Sequence, residues 1–184
     1  MMMCNRIGWP LGANCIRRGK MGTFGLVRNN GTKPHHGWDL YANPGTTIYT
    51  VDDGVVEYAG LMGDYGLTID IKLDSKISAL EIFVRYAHLS VIALGLRHGT
   101  KVSKDQIIGF TGRSGNASKL TKSIDNHLHF EFLNTKRPRR GRAGLNDRFD
   151  PKDIYGVVPM NQSMYDYRVE FEPNDGLTIA QRVA

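Results

Sequence analysis

The chain has six histidines among 184 residues, and five of them stand where several donor groups could meet. His127-Leu-His129 sits inside an alternating run over 126–132. On a strand, a period of two puts His127, His129 and Glu131 on one face and Leu128, Phe130 and Phe132 on the other. The second set is a core face, so the first looks into a groove or onto solvent. Two adjacent imidazoles serve a metal site or an acid–base site, or are simply two polar residues on an exposed sheet face. His35 and Asp39 lie four residues apart across Gly37. A bend at that glycine would let an imidazole and a carboxylate converge on one cation. His88 closes the apolar segment 80–89, where a regular strand would give it the same face as Tyr86 and Val84. Taken singly, each pattern is also what chance spacing or a structural histidine produces.

Such side chains need rigid elements behind them, and the surrounding sequence reads as β. Residues 24–28 run into Asn29-Asn30-Gly31, 46–51 follow Pro44-Gly45, and 55–59 follow Asp52-Asp53-Gly54. These are strand-and-turn signals. Residues 67–73 alternate apolar and polar, as one half-buried strand does. Ile82, Phe83, Val84 and Tyr86 favour a pleated surface over a helix, so 80–89 is expected as a strand, as is 127–133. Twenty-one glycines suit a turn-rich β protein. The length fits one domain with extensions: an irregular N-terminal arm over 1–22, a domain over 23–155, and a tail over 156–184 in which 167–171 would add an edge strand.

Together the clusters resemble the lysostaphin/LytM-type zinc metallopeptidases, which cut peptide bonds in bacterial peptidoglycan. That family's signature is H-x(3)-D, a His in a Y-x-H-L-S-like strand, then H-x-H. Here it is carried by His35…Asp39, by Tyr86-Ala-His88-Leu-Ser90 and by His127…His129. Gly37-Trp-Asp-Leu40, Pro44-Gly45-Thr46, Asp53-Gly-Val-Val56, Tyr65-Gly66, Thr111-Gly112, Ser114-Gly-Asn116 and Asp150-Pro151 extend the likeness over roughly 23–155.

The resemblance implies a mainly β fold of the LytM (duplicated-hybrid-motif-like) type, an antiparallel sheet with a smaller packed sheet and an open groove over one zinc ion. It implies His35, Asp39 and His129 as the metal ligands and His88 and His127 as the catalytic histidines. Three protein ligands leave a tetrahedral zinc one position for water, whose pKa the metal lowers toward ~7. His36, Tyr86 and Asn116 are candidates to line the groove, and Glu131 is a candidate to orient a ligand imidazole. The implied activity is hydrolysis of a stem or cross-bridge peptide bond, with the D-Ala–diaminopimelate cross-link favoured and a glycine bridge as the other option. Two features depart from the family: a longer loop over 117–126 and a basic stretch over 136–142.

Lys and Arg number 24 against 18 acids, a net charge of +6 that suits an anionic partner such as wall polymer, nucleic acid or membrane surface. The basic residues of 136–142 carry no interleaved aromatics, which argues against a nucleic-acid-binding β-barrel. No apolar run approaches the ~20 residues of a transmembrane helix, and the first twenty residues do not read as a Sec signal. The expected partner is therefore peptidoglycan, reached in the periplasm or cell wall through a dedicated secretion system with a cognate immunity protein, through phage lysis, or as part of a larger protein. Cys4 and Cys15 could pair in an oxidising compartment or stay as two thiols. The alternative function is a catalytically inactive module of the same fold that binds and activates an amidase.

Overall fold

The computed structural model describes residues 7–165, and within them the chain is almost entirely strand and turn. The strands are β1 (Ala13–Asn14), β2 (Gly25–Arg28), β3 (Lys33–His35), β4 (Trp38–Tyr41), β5 (Thr47–Tyr49), β6 (Gly54–Leu61) and β7 (Leu67–Ile77). They continue as β8 (Leu80–Ile92), β9 (Lys101–Val102), β10 (Ile107–Thr111), β11 (His127–Leu133), β12 (Arg148–Phe149) and β13 (Met164–Tyr165). Beside five short 3-10 turns, the described residues hold one short α-helix, α1 (Pro151–Tyr155), which starts at an Asp150 cap that accepts from the Lys152 amide and ends at Gly156 in the left-handed region.

An antiparallel sheet runs in the order β12-β11-β8-β7-β6-β9. β4 joins it on β11, and β10 pairs with both β8 and β5. β2 and β3 form a separate hairpin, and β1 pairs with β13. The expected strand over 80–89 is present and longer. The expected edge strand over 167–171 lies outside the described residues.

The apolar sides of these strands make one core. Ile82, Val84, Tyr86, Leu128, Phe130 and Phe132 are fully buried with Trp38, Ile69 and Ile71. Tyr86 was expected at the groove; it lies instead in this core, edge-on to Phe130 and accepting the Val51 amide through its hydroxyl. Of the segment before Thr23, the described residues 7–22 carry little beyond β1 yet are packed in place: Leu11 and Ile16 are fully buried in the same core. Cys15 is buried, and Cys4 lies outside the described residues. No helix among the described residues is long and apolar enough to cross a membrane.

Candidate active site

β11 lies between β4 and β8, with His129 opposite Asp39 on one side and Ala87 on the other. The alternation of β11 therefore carries His127, His129 and Glu131 to one face, as its sequence demands. All three are buried, not spread on solvent. His35 and Asp39 reach them because the chain between β3 and β4 lies tight against β11. A Cβ on Gly37 would stand 2.1 Å from the Phe130 carbonyl oxygen and 2.9 Å from Glu131 Cγ. Close approach, and not backbone bending, is what requires glycine here.

His88 arrives by a different route. Its φ is +64°, in the left-handed region, and the ladder to β7 slips across it, Tyr86 pairing with Ile69 and Leu89 with Leu67, while the ladder to β10 slips two residues on, at Ser90. A residue so placed breaks the period of two. Tyr86 consequently faces the core while His88 turns to the other side, where its ring lies 5.1 Å from His127 and 5.9 Å from His129. The regular-strand expectation of a shared face is overturned by this bulge.

The donor atoms meet in a small triangle. His35 Nε2 and His129 Nδ1 each lie 3.0 Å from Asp39 Oδ1 and 3.2 Å from one another. His127 Nε2 stands 3.4 Å from the same oxygen. The outward nitrogen of every one of these four imidazoles donates to an acceptor. His35 Nδ1 donates to Thr23 O at 2.7 Å, His88 Nδ1 to Ser114 O at 2.9 Å and His127 Nδ1 to Asp125 O at 2.7 Å. His129 Nε2 donates to Glu131 Oε1 at 2.8 Å. A backbone carbonyl or a carboxylate can only accept, so each outward nitrogen carries a hydrogen, and in the neutral form of each ring the inward nitrogen is the bare one.

With the histidines neutral, two imidazole nitrogens and a carboxylate oxygen facing one point can hold a cation between them. Tetrahedral zinc with bonds of about 2.0–2.1 Å separates its donors by about 3.3 Å. The observed edges need to open by only a few tenths of an ångström, so the His–Asp–His set fits such an ion, and its donor atoms all lie within 4.8 Å of one another.

The electrostatics divide the histidines. Burial, with His129 and His127 nearby, pushes His88 down to about 3. Burial likewise lowers His127 and His35. His129 is pulled down by burial too, but its hydrogen bonds to Asp39 and Glu131 outweigh that and raise its pKa. Burial disfavours the charge on Asp39, yet His35 and His127 hold it well below the usual carboxylate range. Glu131 behaves the same way, kept ionised by His129, Arg148 and Arg85.

Several residues of the site were absent from the sequence reading. Arg28 Nη2 and Arg18 Nη1 grip Asp39 Oδ2 at 2.5 and 3.1 Å, leaving Oδ1 for the triangle. Arg18 also reaches Asp125, whose carbonyl holds His127. Behind His129, Glu131 accepts from the Tyr65 hydroxyl at 2.6 Å and from Arg148 Nε at 2.9 Å, while Arg85 pairs with Asp70. Nothing local marks these residues: Arg18 lies in the expected arm, Arg28 and Arg85 in expected strands, and Arg148 between the basic stretch and Asp150.

A cavity of about 520 Å³ opens over the triangle. His36 and Asn116 line it, as does Leu120 from the longer loop and Arg140 from the basic stretch. His36 Nε2 donates to Gly141 O at 2.9 Å. His98 is exposed and distant from the site, hydrogen-bonded to Glu57 O.

A buried His–Asp–His triangle flanked by two further imidazoles, on an antiparallel sheet, defines a metallopeptidase-type centre. The profile of peptidase family M23 matches residues 33–140, and the chain belongs to that family. It is 35% identical over 105 residues to the peptidoglycan DD-endopeptidase ShyA of Vibrio cholerae, across 57% of this chain and 21% of that protein. It is 34% identical over 97 residues to the DD-carboxypeptidase/endopeptidase Mpg of Neisseria meningitidis, across 53% of this chain and 19% of that protein. The chain thus spans about a fifth of the length of these curated relatives. Among solved structures, the catalytic domain of lysostaphin from Staphylococcus simulans superposes with a TM-score of 0.54 at 25% identity, covering 74% of this chain and 88% of that one.

Proposed function

We propose that this chain is a zinc-dependent peptidoglycan hydrolase acting in the cell wall, with one zinc held by His35, Asp39 and His129 and with His88 and His127 as catalytic residues. The observation that carries this reading is the buried His35–Asp39–His129 cluster, with His88 and His127 beside it and the outer nitrogen of each imidazole held by an acceptor. When bound, zinc would polarise the scissile carbonyl and supply an activated water.

The chain's own groups account for the rest. Asp39 and the two ligand imidazoles are locked by their outer hydrogen bonds, which removes the reorganisation a loose site would need. His88 and His127 remain neutral through burial, so a bare nitrogen on either can accept the proton of the attacking water. The other imidazole can then hold a proton near the developing oxyanion or the leaving amine. Leu120 and Asn116 on one side and Arg140 on another wall the cavity in which the peptide lies.

The D-Ala–diaminopimelate cross-link is the favoured bond, supported by likeness to two relatives whose names specify D,D-cleavage. An inactive amidase-activating module has no use for five positioned metal-site and catalytic side chains. Zinc-loaded protein should release soluble muropeptides from purified sacculi, identified by mass, and should stop doing so on chelation. The His127→Ala protein should release none. Sacculi left intact by the zinc-loaded protein would refute the hydrolase reading and favour the binding module.

A further inference from the structure

The cavity over the triangle is lined by four cationic side chains, Arg18, Arg28, Lys33 and Arg140, against two acids, Asp39 and Asp64. Two of the cations are already engaged. Arg28 and Arg18 are both ion-paired with Asp39, and Arg18 reaches Asp125 as well. Lys33 and Arg140 have no ion-pair or side-chain hydrogen-bond partner among the described residues.

Their placement is fixed by the fold. Lys33 begins β3, two residues before His35. Arg140 precedes Gly141, whose carbonyl accepts from His36 beside that same ligand. This bond ties the basic loop to the metal site and holds Arg140 at the cavity. Its Nη2 stands 3.7 Å from the Cβ position of Gly63, next to the Tyr65 turn. Asp64 is exposed, and with a divalent ion on Asp39 the lining is strongly positive.

We propose that Lys33 and Arg140 form a carboxylate-binding subsite, so that the preferred substrate carries a free carboxylate within a residue of the scissile bond. The guanidinium can take a carboxylate in a bidentate fork, while the ammonium adds a point charge at the other approach. This inference rests on the hydrolase reading and sharpens it: a neutral glycine bridge offers nothing for this pair to hold. Two carboxylates of a stem peptide share the required chemistry, that of diaminopimelate and that of a terminal D-Ala.

The experiment uses cross-linked muropeptide dimers in three forms: free, amidated at diaminopimelate, and amidated at the terminal D-Ala. The wild-type protein should prefer the free form by about tenfold in kcat/KM over one of the two amides, and that amide identifies the source. In Lys33→Ala/Arg140→Ala this ratio should fall toward one. A wild-type ratio already near one, or a ratio the double variant keeps, would overturn the subsite.

A second readout needs no turnover. Zinc-loaded His127→Ala should bind the tetrapeptide stem about tenfold more tightly free than amidated, and adding the two substitutions should erase the difference. Equal binding would overturn the proposal by itself. Failure of the wild type to cut any of the three dimers would refute the hydrolase reading, leaving the binding measurement to decide the subsite.

Discussion

His129 and Glu131 stand two residues apart on the same face of β11, with His129 Nε2 2.8 Å from Glu131 Oε1. The contact puts the ring hydrogen on Nε2 and turns Nδ1 toward Asp39. Glu131 is itself held by Tyr65 and Arg148, so the orientation passes through a buried ionic network to this imidazole. Carboxylates placed behind ligand histidines in this way fix the ring and raise its basicity.

Replacing Glu131 by Gln should therefore weaken metal binding by roughly 10–100-fold while keeping the side chain's volume. Competition with a chelator of known affinity measures this directly. Unchanged affinity would show that the contact is packing alone. Glu131→Ala is the harsher variant, because it also leaves Arg148 buried without its carboxylate, a loss costing about 3–5 kcal/mol.

Substitution should separate the five central residues into two groups. His35→Ala, Asp39→Ala and His129→Ala should each lose metal and activity together. His88→Ala and His127→Ala should retain about one zinc per chain and lose activity by at least about 100-fold. Metal analysis beside an activity assay checks this. Loss of zinc from His88→Ala equal to that from His129→Ala would overturn the assignment.

The acid side of the pH profile should follow metal release. His88, pushed down to about 3 by burial, stays neutral far below physiological pH, and His127 is displaced the same way. His129 moves oppositely, its pKa raised by Asp39 and Glu131 against burial. The proton on His129 competes with the metal, so the metal-free form is the one that gains protons as pH falls. Zinc affinity must then fall with pH. Activity and bound zinc should decline together as pH falls and the ligand imidazoles protonate, and excess zinc should move the limb to lower pH. An acid limb with zinc still fully bound would contradict this.

Gly37→Ala should damage the site without touching a donor atom. The added methyl meets the Phe130 carbonyl oxygen at 2.1 Å, backbone that cannot swing away, and crowds Glu131 Cγ at 2.9 Å. Overpacking of this kind costs about 1–3 kcal/mol. It should appear as a lower melting temperature and as weaker metal binding, since Asp39 lies two residues on. A variant matching the wild type in both would mean that β4 can shift freely.

The sequence by itself determined the strands and the three-part motif. A period of two over 126–132 states which of six side chains face the core, whatever the rest of the chain does. The spacing of His35 and Asp39 across Gly37 was likewise local. Only the tertiary structure decided the direction of His88, because a left-handed residue and a slip in the ladder to β7 reverse the face that regular alternation assigns. Tyr86 lies before the slip and keeps the core face of Ile82 and Val84. Arg18, Arg28, Tyr65 and Arg148 entered the site the same way. A buried arginine and a solvated one are spelled alike, and what distinguishes them is a carboxylate brought close by strands far apart in the chain.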